Sequence, residues 1–215
     1  MNVRLIAITK PVIAPLETAV DLLGYCARVS NPENQENVET MPKLLKRLAN
    51  HKEWSPFEMA HMVLEIKTTR DIGRQILRHR SFSFQEFSQR YSKPTSIFEL
   101  REARSQHPSN RQSSIKTHDA ELATWWERAQ EDAAELAAEI YLKATEKGIA
   151  KEVARAVLPE GMTPSTLYMA GPIRSWIHYC QLRCGPETQK EHRLIAEECR
   201  LILLREFPTL SEIMA

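Results

Sequence analysis

The chain has 215 residues, 42% of them hydrophobic and 27% charged, with a formal net charge of +1, a balance that fits one globular domain over residues 1–215 and exerts no overall pull on nucleic acid or acidic membranes. No stretch approaches the ~20 apolar residues of a membrane span, and four cysteines in a chain of this size do not make a disulfide scaffold. The run from Met1 to Pro15 is too short for a secretion signal and is interrupted by Lys10, Pro11 and Pro15, so a reduced, cytoplasmic protein is expected.

Taken in chain order, Val3 to Thr9 alternates loosely and predicts a strand. Leu16 to Val29 carries Leu16, Val20, Leu23 and Ala27 at helical spacing, and Asn31 to Asn34 reads as a loop. A second helix is expected after Thr40 as N-cap, with Pro42 in its first turn and Leu44, Leu45 and Leu48 on one face. Phe57 to Lys67 reads as a long strand and Arg70 to His79 as a short helix. Residues 81–95 are polar and aromatic without a clear period. Ile97 to Ala103 suggests a strand, and the polar run 104–117 suggests a loop with the composition of a lid. Asp119 to Lys147 is the longest predicted helix, ending at Gly148. Lys151 to Val157 predicts a helical turn, and Thr163 to Ala170 a strand. Pro172 then opens a helix through Arg183, and Pro186 opens the last one. This mixture lacks regular βαβ alternation, so the expected fold class is α+β, one largely antiparallel sheet flanked by helices.

Five basic side chains fall between positions 74 and 93: Arg74, Arg78, Arg80, Arg90 and Lys93. Only Asp71 and Glu86 oppose them nearby. A guanidinium grips phosphate through two parallel hydrogen bonds. Gln75, Arg78 and His79 share a helix face by their spacing. A solvated basic face is the ordinary reading of such a run. Here Phe82, Phe84, Phe87 and Tyr91 alternate with the charges, which suits a pocket lining better. An anion-binding pocket is the reading these residues support, with nucleic acid as the competing ligand.

The pattern Arg78-His79-Arg80, seven residues, then Ser88, continued by Gln89-Arg90-Tyr91-Ser92, resembles the defining motif of the flavin-dependent thymidylate synthases. The resemblance extends over essentially the whole chain. It includes Ala27 to Ser30, the stretch from His51 through Ser55-Pro56-Phe57-Glu58, and Glu152 to Arg155 continuing to Arg174 and Arg183.

The resemblance implies reductive methylation of deoxyuridine monophosphate to thymidylate. Methylenetetrahydrofolate is the carbon donor, NADPH the reductant and FAD the flavin, in a homotetramer whose sites are shared between subunits. It assigns Gln75, Arg78, Glu86, Ser88, Arg90, Arg155 and Arg183 to the nucleotide. It assigns Ser30, Ser55, Glu58, His79, Arg80, Arg174 and His178 to FAD. Arg183 and Ser88 stand nearest the chemistry. A cation beside a uracil oxygen stabilises charge as the ring reacts. Ser88 has no base partner in the sequence and is assigned to binding and polarising the substrate rather than to nucleophilic attack. Arg174 and His178 lie i, i+4 on one helix face, with Arg183 roughly half a turn round. No Gly-x-Gly-x-x-Gly occurs, so the flavin is not expected to bind in the Rossmann manner.

Glu53, Met59, Gln85 and Glu187 depart from the pattern common in that family, and His51, Glu53 and Glu187 are left unassigned. Two other readings compete: a flavin and nucleotide-binding NADPH oxidase without methyl transfer, and a nucleic-acid binder using the Arg/Phe segment. The near-neutral charge argues against the second of these. Cys180 and Cys184, with His178 and His192 near, raise zinc as an alternative. The knuckle spacing is absent, so buried small hydrophobes are expected and no metal. Trp125 and Trp126 raise a binding platform as an alternative, but on a long helix one of the two rings is expected to pack in the core or against another subunit. His107 and His118 flank the polar loop with no partner in view.

Overall fold

The computed structural model describes residues 1–91 and 98–214. The expectations placed on Ser92, Lys93 and Ile97 lie outside the described residues.

Strand β1 (Asn2–Ile8) pairs with β2 (His61–Thr69), β2 with β6 (Pro164–Pro172), and β6 with β3 (Ser83–Glu86). All three pairings are antiparallel, as the predicted fold class requires. Met62, Leu64 and Ile66 of β2 are fully buried, as are Leu167 and Met169 of β6. They line one face, because successive strand residues point to opposite faces. The other face carries a polar row across three strands. Arg4, Glu65 and Tyr168 stand directly opposite one another, and both Arg4 Nη2 (3.2 Å) and the Tyr168 hydroxyl (3.0 Å) donate to Glu65 Oε2.

Seven helices are described, of which the first three and the last two cover the apolar face, while the fourth and fifth pack on each other. They are α1 (Ala19–Ala27), α2 (Met41–Asn50), α3 (Arg70–Ile76), α4 (Ala120–Glu146), α5 (Lys151–Ala154), α6 (Ile173–Arg183) and α7 (Lys190–Glu206). α1 starts at a reciprocal cap between Thr18 and Asp21. In α2, Leu45 and Leu48 enter the core with Met41 and Ala49, while Leu44 is only partly covered. Thr40 precedes α2, but its side chain does not cap the helix. Its hydroxyl instead accepts from Arg28, which is nearly buried and also donates to the carbonyls of Asn34 and Asn37. Trp176, Ile177 and Cys180 of α6 and Ile195, Ala196 and Cys199 of α7 complete the core with Phe207 and Leu210. Each fully buried large side chain contributes about 1.5–3 kcal/mol. A smaller apolar cluster joins Tyr141 of α4 to Ala154 and Leu158.

Several boundaries differ from expectation. The long strand begins at His61 rather than Phe57, because Ser55–Glu58 forms a 3-10 turn with Pro56 at its start. The aromatic segment holds the edge strand β3, too short to show a period. Residues 98–103 form no strand. The 104–117 loop is instead a hairpin of β4 (Arg104–Gln106) and β5 (Ser114–Lys116). The last helix starts at Lys190, four residues after Pro186. No described helix is long and apolar enough to cross a membrane.

Candidate functional site

The centre of the fold sets the site. β2 runs directly into α3, and β6 directly into α6. The two strands are antiparallel, with His61 opposite Pro172 and Thr69 opposite Pro164. The helices are therefore launched from opposite ends of the sheet and run back toward each other. Their C-terminal ends meet: Arg183 Nε, at the end of α6, donates to His79 Nε2 just beyond α3 at 2.9 Å. A cation at a helix C-terminus also complements the helix dipole.

Behind this contact lies a chain of hydrogen bonds that runs in one direction from Tyr179 to Glu191, where a donor from the other side meets it. Tyr179 is buried, and burial, the largest cause, holds its phenol protonated well above the usual range. Its hydroxyl lies 3.1 Å from His192 Nε2 and donates to it. That leaves the proton on His192 Nδ1, which faces Gln75 Oε1 at 3.3 Å. Gln75 Nε2 donates to Gln189 Oε1 at 2.8 Å, and Gln189 Nε2 to Glu191 Oε2 at 3.0 Å. Glu191 Oε1 then accepts from Arg104 Nη2 of the hairpin at 2.7 Å. The Gln75 amide is thus fixed in one orientation, with each end engaged.

His79 and His192 are both neutral. Burial, then the Arg183 and Arg78 cations, push His79 down to about 4. Burial, then Arg183 and His79, push His192 down to about 3. Both folded-state values lie below the ordinary 6.5, so in this window the unfolded chain binds more protons than the folded one. The stability these neutral rings contribute is fully present above 6.5 and is lost as pH falls toward 4 and then 3. Urea midpoints should drop over that interval, and a His79→Gln/His192→Gln double variant should lose much of the slope. An unchanged slope in the double variant would contradict this account.

A second group surrounds the first half of α6. Arg174 Nη1 donates to Glu58 Oε1 at 2.8 Å, and the His178 ring meets Trp54 edge-on at 5.2 Å. Burial and then Arg174 lower the His178 pKa, with Glu58 opposing. Ser175 Oγ donates to the Ser81 carbonyl, which sets Arg80 and Ser81 beside Arg174 and Ser175. Ser55, Glu58, Arg80, Arg174 and His178 are thereby brought to one neighbourhood. Ser55 and Arg80 are exposed, and Arg80 has no ion-pair partner among the described residues. Ser30 is exposed just past Arg28 at the end of α1, the helix that packs against the 55–58 turn.

The remaining residues form two further groups. Glu86 is mostly buried, accepts from Ser165 Oγ at 2.9 Å, and lies 3.7 Å from both Arg70 Nη1 and Arg74 Nη1. Ser88 is half-buried, and its Oγ accepts from the Arg90 amide at 3.4 Å. Arg90 Nε lies 3.5 Å from Glu152, whose carbonyl accepts from Arg155 Nε. Arg90 and Arg155 thus share Glu152, but no described hydrogen bond or ion pair links them to Arg183 within the chain. Arg78 is exposed beside His79.

His79 and Arg183, assigned to different ligands, are bonded to each other, so whatever touches one is felt by the other. The sequence reading missed His192 and Gln189 as the residues that orient Gln75. His192 occupies the apolar stripe of α7 with Ile195, Ala196 and Cys199, a spacing that marks it as buried. Cys180 and Cys199 are buried and all four cysteines are free. Among the described residues no group of three or more His, Cys, Asp or Glu is placed to hold a metal.

The family described as "Thymidylate synthase complementing protein" matches residues 12–209. A probable flavin-dependent thymidylate synthase of Paramecium bursaria Chlorella virus 1 is 50% identical over 212 residues, covering 99% of this chain and 98% of that protein. A flavin-dependent thymidylate synthase of Synechocystis sp. is 50% identical over 215 residues, with 98% of each chain covered. A crystal structure of the UMP/dUMP methylase PolB from Streptomyces cacaoi, bound with 5-Br dUMP, superposes with a TM-score of 0.84 at 26% identity, covering 98% of this chain and 93% of that one. This chain belongs to the flavin-dependent thymidylate synthase family.

Proposed function

We propose that the chain methylates deoxyuridine monophosphate to thymidylate, with FAD as its flavin, methylenetetrahydrofolate as carbon donor and NADPH as reductant. The observation that carries the reading is the Arg183–His79 bond. It joins the residues around Gln75 to those around Arg174. Gln75, Arg78, Glu86, Ser88, Arg90, Arg155 and Arg183 are assigned to the nucleotide. Ser30, Ser55, Glu58, His79, Arg80, Arg174 and His178 are assigned to FAD. The donor set suits a ligand with a pyrophosphate: exposed guanidinium groups, an imidazole and hydroxyls, with no glycine loop. Bound flavin supplies hydride chemistry that no side chain can.

The residues' own tasks are electrostatic. Arg183 stabilises negative charge on the pyrimidine as it reacts, and its direction is set by the His79 acceptor. Gln75, clamped at both ends of its amide, contacts the substrate without reorganising. Ser88 polarises and does not attack. The exposed apolar side chains of α4 at Leu122, Trp125, Trp126, Leu136 and Ile140 recur at helical spacing and support a homotetramer with shared sites. Such sharing would bring Arg90 and Arg155 of one subunit toward Arg183 of another.

The test supplies purified, flavin-loaded protein with the nucleotide, methylenetetrahydrofolate and NADPH, and measures thymidylate. Product is expected only when all three are present. Consumption of NADPH without thymidylate would replace this reading with an oxidase.

A further inference from the structure

Between the hairpin and the start of α7 lies a hollow of about 250 Å³ that none of the assignments above uses. Four cations line it: Arg104, Lys116, Lys190 and Arg193, against the single carboxylate of Glu102. Ser113, Ser114 and Thr188 add hydroxyls. Some of this charge is already answered. Glu102 pairs with Lys190, and Glu191 holds Arg104 Nη2 from behind. The rest is not. Arg104 Nη1 is buried without a hydrogen-bond partner, which is costly unless something supplies an acceptor. Lys116 has no carboxylate within ion-pair distance among the described residues. Arg193 Nε reaches Glu197, one turn further along α7, at 3.8 Å.

We propose that this hollow binds a phosphomonoester, the 2′-phosphate that distinguishes NADPH from NADH; the inference rests on the function proposed above. The volume falls short of the roughly 300–1,000 Å³ of a pocket that encloses a whole ligand. It suits one end of a longer molecule. Guanidinium, ammonium and hydroxyl donors converging on one point match a tetrahedral dianion. The place is apt as well. Gln189 lines the hollow and bonds Gln75, so a ligand anchored here by its phosphate lies beside the nucleotide residues. The dicarboxylate tail of the folate and the phosphate of deoxyuridine monophosphate are the other substrate anions the reaction brings.

The test is a Lys116→Ala/Arg193→Ala double variant of the flavin-loaded protein, assayed with NADPH and with NADH. The value of kcat/KM for NADPH should fall about tenfold, and that for NADH should stay as in the wild type. Adenosine 2′,5′-bisphosphate should bind the wild type more tightly than adenosine 5′-monophosphate, and the variant should lose that preference. Equal falls for both reductants, no fall, or a wild type indifferent to the 2′-phosphate would overturn the proposal. So would a loss confined to deoxyuridine monophosphate affinity or to polyglutamylated over monoglutamylated folate. Flavin reduced by dithionite tests methyl transfer without any nicotinamide. Thymidylate failing to form there would refute the proposed function, while the bisphosphate titration would still decide the hollow.

Discussion

Replacing Arg183 by alanine should weaken binding of deoxyuridine monophosphate about a hundredfold, a loss of about 2.7 kcal/mol. Two effects combine. The first is the loss of a half-buried cation facing an anionic ligand, where charge-assisted hydrogen bonds are strong. The second is local. Arg183 Nε donates to His79 Nε2, and the same cation helps keep both His79 and His192 neutral. Its removal frees an imidazole to take up protons nearer neutrality, so the pKa of His79 should rise in the variant. Arg183→Lys keeps the charge but cannot reproduce the fork, and should recover only part of the affinity. Arg78→Ala, which removes the neighbouring exposed cation, should also weaken the nucleotide severely. Equilibrium titration of the flavin-loaded protein measures all three. Wild-type affinity in both alanine variants would refute the assignment of these residues.

Replacing His192 by leucine should lower folding stability by about 2–4 kcal/mol and raise KM for the nucleotide more than it lowers kcat. The two side chains are similar in bulk, so the cost is not chiefly a cavity. It comes from stranding the Tyr179 hydroxyl and Gln75 Oε1, both of which face His192 in the folded chain. Gln75 would then be free to turn its amide. Glutamine at 192 offers both a donor and an acceptor and should restore much of both quantities. Urea unfolding and steady-state kinetics on the two variants check this. A leucine variant with wild-type stability and KM would show that the chain of hydrogen bonds orients nothing.

The contrast between what was and was not legible in the sequence follows from the range of each interaction. α4 was clear from Asp119 to Gly148 because its cap is local: the Asp119 carboxylate accepts from the Leu122 amide, and Gly148 takes a φ of 86°. α6 was clear because Pro172 sets its start. β3 escaped because four residues on a sheet edge cannot establish a period, and their pairing is to β6, more than eighty positions away. The hairpin escaped because its strands are three residues each and polar but for the exposed Ile115, which leaves no alternation to read. Its order comes from Arg104 reaching Glu191 and from Gln106 donating to the carbonyls of Asn110 and Ser113. The site divides in the same way. The arginines of 78–90 were found because a motif is contiguous. The orientation of Gln75 was not, because its partners Gln189 and His192 stand 114 and 117 positions away.

The meeting of α3 and α6 has a consequence for where this chain can be lengthened. Residues 61–79 and 164–183 act as two arms of fixed length hinged on one strand pairing, and the bond between their tips closes the frame. A residue inserted within α6 would turn Arg183 by about 100° and carry it about 1.5 Å further along the axis, away from His79. A two-residue slip between β2 and β6 would displace the arms by roughly 7 Å and open the frame altogether. Insertions at the hairpin tip near Asn110, or in the turn after α4, leave both arms untouched. Tolerance to added length should therefore be sharply partitioned along the sequence, with the two arms acting as a gauge for the distance between the groups that face the ligands.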